Sequence, residues 1–370
     1  MTDSSLSPTQ ANLATCIQKV ATGPEYSKDL SFAEARAGME LILRGEADPV
    51  QAAVMLIGMR MKRETQEENQ GILQAILDHK IGATSEADEI IDLSDPCNGQ
   101  LRGISMAPFV APVLAACGLP AFSQGLESVG PKFGITHHNI LAAAGVPVDH
   151  SSEQVAKRLA DPAIGWGYVD QSRFCPSLHT LVPLRNKMIK RTVITTVEVA
   201  TKPIAGRRCT NLLTGYVHQA YPPVYTAIAR FAGYDSAAIV RGVEGGLVPS
   251  LRQAMRCFRY TSACADEFID MDPRAIGIES GTRAIPLPGN LKSLENAGAQ
   301  AKIDATHHAA ELGVNALQNQ PGPAYDSLIY AAAIALLHVG RYDNLSQAAV
   351  AARNAITSGE AFSRFSANLA

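Results

Sequence analysis

Residues 95 to 106 read DPCNGQLRGISM, between a β-like run at 90–93 (IIDL) and an apolar, helix-like stretch from Ala107 to Cys117. A strand, a glycine-bearing loop and a helix in that order can cradle a phosphate, because glycines let backbone N–H groups approach an anion at the mouth of a helix. This loop is poorly made for that work. Pro96 removes a donor, Asp95 and Cys97 put side chains where the approach must be close, and Asp95 adds like charge.

A second concentration of chemistry is electrostatic. Between Arg185 and Arg259 twelve Lys and Arg stand against three Asp and Glu, in a chain whose net charge is only −3, so the remainder carries −12. Such segregation suits an anionic partner, against the plainer reading of a solvated basic face. Arg185, Lys187, Lys190 and Arg191 are expected together on a helix ending near Arg191, and Lys202, Arg207 and Arg208 follow in a loop with few acids. These seven are the candidate contacts to a nucleic-acid backbone, although Lys and Arg also favour the negative end of a helix. Tyr216, Tyr221 and Tyr225 offer rings on which bases stack, or serve as core and turn residues.

Metal and thiol chemistry have thinner support. His137-His138 and His307-His308 are adjacent rather than at the i, i+4 spacing that aims two imidazoles at one ion, so no metal site is expected there. The seven cysteines are odd in number and contain no C-x-x-C pair, which fits reduced core thiols. No apolar run reaches the ~18 residues of a membrane span. The polar start MTDSSLSPTQ does not resemble a secretory signal, so a cytoplasmic protein with no membrane partner is expected.

The elements that must position these residues fall into two textures. Up to about residue 85 the chain reads as a helical domain, with helix starts at Ser7-Pro8, Ser31 with Glu34, Asp48-Pro49 and Thr65 with Glu68, and a stop at Gly45. From residue 86 to 370, β-like runs (IIDL, PAFSQ, GWGYVD, AAIVRG) alternate with helical stretches, including Pro222 to Phe231, Ala324 to Val339 and Ser346 to Ser358. The fold expected is α/β: a small N-terminal helical bundle and a larger domain with a mostly parallel central sheet flanked by helices, some C-terminal helices packing back on the bundle. The stretch 285–291 (IPLPGNL) reads as a surface loop or hairpin.

The segment LSFAEARAGMELILRGEADPVQAAVMLIGMRMKRETQEENQGILQAI followed by an α/β domain resembles the anthranilate phosphoribosyltransferases of glycosyltransferase family 3 and the related nucleoside-phosphorylase-like transferases. CPSLHTLVPLRNKMIKRT, AAIVRGVEGGLVPSL and GRYDNLSQAAVAARNAITSG carry the likeness to the C-terminus. The family's Gly-Thr-Gly-Gly-Asp loop falls on Leu93 to Gly99 and its following Asn-x-Ser-Thr on Gly103 to Met106. Its Lys-His-Gly-Asn-Arg falls on Ser123, Gln124, Gly125, Leu126 and Glu127, its metal-holding Asp-Glu pair on Leu247 and Val248, and its acceptor-binding arginine on His179. Ser105, Gly125 and Lys132 are what the resemblance leaves as possible residual phosphate-binding residues.

The resemblance also implies a homodimer through the N-terminal helices, where Ala52 to Met61 is rich in apolar and small residues. Some bacterial relatives that keep this fold without the diphosphate motifs bind nucleic acid through a basic groove. The expectation is therefore a protein with a degenerate active site, no assigned catalytic residue and no cofactor, which binds DNA or RNA, single strands in preference. The alternative is a divergent transferase using magnesium and phosphoribosyl pyrophosphate on a different acceptor, with a loop such as Gly277 to Arg283 rebuilt for phosphate.

Overall fold

The first helices begin where capping chemistry puts them. In the computed structural model, which describes residues 8–262 and 264–369, α1 spans Pro8–Val20, α2 Phe32–Leu43, α3 Pro49–Lys62 and α4 Gln66–Asp78. The Ser31 hydroxyl accepts the Glu34 N–H at 3.3 Å while the Glu34 carboxylate accepts the Ser31 N–H at 2.9 Å. Thr65 and Glu68 repeat the exchange at 3.2 and 2.8 Å. Each box satisfies two amides that a helix start leaves open. Asp48 caps α3 ahead of Pro49, and Gly45 turns the chain after α2 at φ 71°. Ser7 lies outside the described residues.

A short strand, β1 (Ala83–Thr84), leads into the main sheet, whose seven strands are β2 (Glu89–Ser94), β3 (Ala121–Gly125), β4 (Trp166–Asp170), β6 (Cys209–Gly215), β7 (Ser236–Val240), β8 (Met255–Thr261) and β9 (Glu267–Met271). β1 pairs only with β5 (Ile204–Ala205). The main order is β4-β3-β2-β6-β7-β8-β9, parallel as far as β7 and antiparallel across β8 and β9. The central strand β6 is one the apolar pattern does not announce, because Thr210, Asn211 and Thr214 interrupt it. Its polar side chains are satisfied inside: Asn211 donates to Ile90 O at 3.2 Å and the Thr214 hydroxyl to Ser94 O at 2.6 Å.

Alternation along the strands gives the sheet two apolar faces. Ile90, Phe122, Val169, Leu212 and Ile239 share one core with α1–α4, joined there by α10 (Val182–Met188), α11 (Val193–Val197) and α12 (Pro222–Phe231). Ile91, Leu93, Trp166, Leu213 and Ala238 share the other with α5 (Val110–Ala116), α13 (Ala299–Leu317), α14 (Pro323–His338), α15 (Leu345–Thr357) and α16 (Glu360–Ala367). The packing expected of C-terminal helices on the N-terminal bundle is thus supplied by mid-chain helices, and the C-terminal ones cover the opposite face. Ile285 and Leu287 of the expected surface loop are buried, and Ile285 bridges to Ile104. Between α5 and α10 lie α6 (His137–Ala143), α7 (Ser152–Ala160) and two single turns, α8 (Gln171–Phe174) and α9 (Pro176–His179). Among the described residues no helix is long and apolar enough to cross a membrane.

From β2 the chain proceeds to β3 and β4 on one side, then crosses to β6 and β7 on the other. The crevice outside the carboxyl ends of β2 and β6 is therefore the topological switch point, where α/β folds hold ligands.

Candidate functional site

Pro96 and Asn98 enter this crevice from the loop after β2, Tyr216 from the end of β6, Tyr221 and Tyr225 from α12 and its lead-in, and Arg60 reaches in from α3. The cavity they enclose is small, about 80 Å³. Arg60 lies 5.7 Å from the centroid of Tyr221, whose ring tilts against Tyr225 at 5.8 Å. Asn98 and Thr192 line the cavity as buried residues, and neither polar atom of the Asn98 amide nor the Thr192 hydroxyl has a protein partner. Buried polar groups are nearly always paired, so these mark a place that suits a polar ligand.

The floor is closed by two loops locked to each other. Loop 242–248 folds onto the end of β6 so tightly that a Cβ on Gly215 would lie 2.0 Å from Gly246 O, and one on Gly242 1.5 Å from the same oxygen. Glu244, at φ 52°, sends its carboxylate across to the loop after β2. It accepts the N–H groups of Leu101 (3.1 Å) and Arg102 (2.5 Å) and pairs with Lys132 Nζ at 2.6 Å. Burial pushes the Lys132 ammonium below its ordinary range, with Glu244 working in the opposite direction. Asp95 accepts the Leu247 N–H at 2.6 Å, so its charge holds a backbone donor instead of merely opposing an anion. Leu247 is fully buried and Val248 nearly so, both in the apolar core.

The other residues expected to hold phosphate are occupied locally. The Ser105 hydroxyl accepts the Ala107 N–H at 3.2 Å. Gly125 ends β3 in a buried position beside Tyr168. Gln124 donates to Asp92 at 2.8 Å and accepts the Thr201 hydroxyl at 2.6 Å. The adjacent histidines diverge: His138 Nδ1 lies 2.9 Å from Asp170, whereas His137 Nε2 is 3.1 Å from Asp95 without hydrogen-bond alignment. Among the described residues no three His, Cys, Asp or Glu side chains converge as a metal site needs.

The seven basic residues expected to act together do not. The helix α10 ends at Met188, and Ile189 turns left-handed at φ 57°, so Lys190 and Arg191 lie in the following connection. The side chains of Lys187, Lys190 and Arg191 are exposed and have no ion pair or hydrogen bond among the described residues; Arg191 lines the crevice. Arg185 is instead buried, its guanidinium held by both oxygens of Glu198. Arg207 and Arg208 both pair with Asp88 and precede β6, at the amino-terminal edge of the sheet. Lys202 donates to Gly233 O and sits over the Tyr234 ring at 5.4 Å. Since β6 runs seven residues, at ~3.3 Å each, Arg207 and Arg208 lie about 20 Å from the crevice. Arg60, Asn98 and Glu244 join the site although the sequence singled none of them out for it; each comes from a different loop or helix, and no spacing signals their meeting.

Residues 14–80 match the glycosyl transferase family helical bundle domain. Along the whole chain, the anthranilate phosphoribosyltransferase of Rhodospirillum rubrum is 28% identical over 357 residues, 96% of this chain and 94% of that protein. That of Rhodopseudomonas palustris (strain BisA53) is 24% identical, covering 94% of each. The chain is anthranilate phosphoribosyltransferase-like. Its fold matches the solved anthranilate phosphoribosyltransferase of Thermus thermophilus with a TM-score of 0.73 at 19% identity, over 97% of this chain and 98% of that one. The Saccharomyces cerevisiae enzyme, solved in complex with PRPP and Mg, gives a TM-score of 0.77 at 16% identity over 96% of each chain. In this anthranilate phosphoribosyltransferase-like chain, the positions that the resemblance assigns to metal carboxylates are buried leucine and valine.

Proposed function

We propose that the protein binds single-stranded nucleic acid along the rim of the crevice, through Lys187, Lys190 and Arg191, and does not make phosphoribosyl anthranilate. The observation that carries this reading is the exposed, unpaired set Lys187, Lys190 and Arg191, the last of which lines a cavity walled by Tyr221 and Tyr225. Unpaired cations neutralise phosphates, and tyrosine rings at a cavity wall give bases a surface to stack on. Arg185, Lys202, Arg207 and Arg208 drop out of the proposed contact set because each already has a partner in the protein.

The second reading, a divergent transferase, has less support. It needs metal and cationic stabilisation of a departing diphosphate. Leu247 and Val248 cannot ligate a hard cation, and Lys132 is already neutralised by Glu244. Arg283, of the loop proposed for phosphate in this reading, meets Ser105 only along a slot of about 10 Å³. A binding panel separates the readings: single- and double-stranded DNA, RNA, and phosphoribosyl pyrophosphate with magnesium. Salt-sensitive binding of oligonucleotides supports the first. Metal-dependent pyrophosphate release supports the second and overturns the first.

A further inference from the structure

Beyond β3 from the crevice, the edge strand β4 ends at Asp170, two strands away from β2. The buried Asp170 carboxylate takes the Ser172 N–H and hydroxyl at 2.9 and 2.6 Å, the Tyr168 hydroxyl at 3.1 Å and His138 Nδ1 at 2.9 Å. Burial raises the Asp170 carboxyl, but hydrogen bonds from His138 and Ser172 outweigh it and hold the group below its ordinary range. An ionised carboxylate only accepts, so Nδ1 carries the proton in this contact. The imidazole, set edge-on to Tyr168 with centroids 5.9 Å apart, turns Nε2 away from Asp170. Nε2 has no protein partner among the described residues, and His138, 20% exposed in its side chain, lines an open groove of about 690 Å³ between α6 and α13.

Asn139 lines the same groove. Its Oδ1 accepts the Thr136 N–H at 3.0 Å in the box that starts α6, which fixes the sense of the amide and leaves Nδ2 a donor without a protein partner among the described residues. Phe133 and Ile303, 38% and 49% exposed, give the groove an apolar wall. Lys302 of α13 joins its two sides by donating to Phe133 O at 2.9 Å.

We propose that this groove hydrolyses esters of short apolar carboxylic acids, with His138 Nε2 as general base toward water and Asn139 Nδ2 as donor to the oxyanion. The acyl chain lies on Phe133 and Ile303. Nε2 takes one proton from water as the water oxygen bonds to the ester carbonyl carbon, and the carbonyl electron pair moves to oxygen, where the Asn139 amide meets it. Collapse restores the carbonyl and breaks the bond to the alkoxy oxygen, which leaves with the proton held by His138. One water is consumed, an acid and an alcohol are released, and nothing is oxidised or reduced. Asp170 is a positioning residue: it keeps the proton on Nδ1 and the lone pair on Nε2. The activity is independent of nucleic-acid binding, because the groove lies two strands from the crevice.

The test follows release of p-nitrophenolate from p-nitrophenyl butyrate by the full chain, with circular dichroism on every variant. The wild type is expected to show saturable hydrolysis. His138→Ala should lower kcat by about a hundredfold, and added imidazole should restore part of it. Asp170→Asn offers an amide donor to Nδ1 and so moves the ring proton to Nε2; kcat should fall by about a hundredfold while KM stays within about twofold. Asn139→Asp keeps the oxygen that caps α6 and removes the oxyanion donor, and should also cost about a hundredfold in kcat. His308→Ala, a histidine elsewhere on α13, should leave the rate as it was. The proposal is overturned if the wild-type rate does not saturate, or if His138→Ala keeps it within about twofold. It is equally overturned if His138→Ala folds and loses the rate but imidazole restores none of it, or if Asp170→Asn raises KM alone.

Discussion

Arg185 and Glu198 face each other as a two-bond pair, Nη1 to Oε2 and Nη2 to Oε1 both at 2.8 Å, with side chains 3% and 0% exposed. A guanidinium so held is a fixture of the core, buried out of reach of a phosphate. Arg185→Met leaves the Glu198 charge buried without its partner, a loss of about 3–5 kcal/mol. Arg185→Met/Glu198→Met is expected to recover much of that. Urea unfolding of the three proteins checks it, and nucleic-acid affinity measured on the folded double variant should stay within about twofold of the wild type.

Charge reversal at Lys187, Lys190 and Arg191 should weaken single-strand binding for every sequence tested. With three phosphates neutralised at ~0.7 each, the wild-type slope of log affinity against log salt is expected near −2, and the triple variant should flatten it. Reversal at Arg207 and Arg208, on the opposite edge of the sheet, should leave both affinity and slope nearly as they were. Filter binding over a range of salt concentrations distinguishes the two sets.

Anthranilate, phosphoribosyl pyrophosphate and magnesium should yield no product, and the gene should not rescue a tryptophan auxotroph lacking that transferase. Restoring carboxylates by Leu247→Asp/Val248→Glu should fail to create activity. It should also lower stability by several kcal/mol, because both positions lie in the apolar core. Product chromatography and thermal unfolding read the two outcomes.

Along the outer face of α1, α3 and the end of α10 runs an apolar groove of about 590 Å³ bordered by Val54, Ile57, Met61 and Met188. Met61 is 78% exposed and Ile189, nearby in sequence to Met188, 73%. We expect a second copy of the chain to cover it. Val54→Glu/Met61→Glu should convert a dimer to a monomer in sedimentation velocity, with the circular dichroism unchanged.

Two buried groups should tilt stability in opposite directions with pH. Burial pushes the Asp92 carboxyl up to about 7, against hydrogen bonds from Tyr234 and Gln124 and the charges of Lys80 and Lys202. The folded protein then keeps a proton that the unfolded chain, with an Asp near 3.9, has lost, so this group makes stability fall as pH rises from ~4 to ~7. Burial pushes His338, which shares a hydrogen bond with Ser236, down to about 3. It stays neutral while the unfolded imidazole gains a proton, so stability is lost as pH falls below ~6.5. Asp92→Asn should therefore make urea midpoints rise more steeply between pH 4.5 and 6.5, and His338→Leu should make them fall over that range.

Local chemistry was legible in the sequence wherever partner and donor are near neighbours. The boxes at Ser31 and Thr65, the Asp48 cap and the parallel alternation follow from spacings of a few residues. β6 escaped because its threonines and asparagine break the apolar pattern, and Asn211 and Thr214 donate to carbonyls of β2, 120 residues earlier. The basic cluster misled for a similar reason. A charge count sees Arg185 beside Lys187, but not the Glu198 that takes it or the left-handed Ile189 that ends the helix. Glu244 is 143 residues from Leu101, and nothing short of the fold brings them together.

The stretch that matches a family on its own, residues 14–80, is not a stretch that can be cut away cleanly. Its buried side chains belong to the same apolar core as Phe122, Val169, Leu212 and Ile239 on the sheet. What is inherited as a module is thus not what unfolds as one. Limited proteolysis near residue 80 should leave two fragments that stay associated until denaturant separates them, and either fragment expressed alone should present an uncovered face to the chaperones of its host.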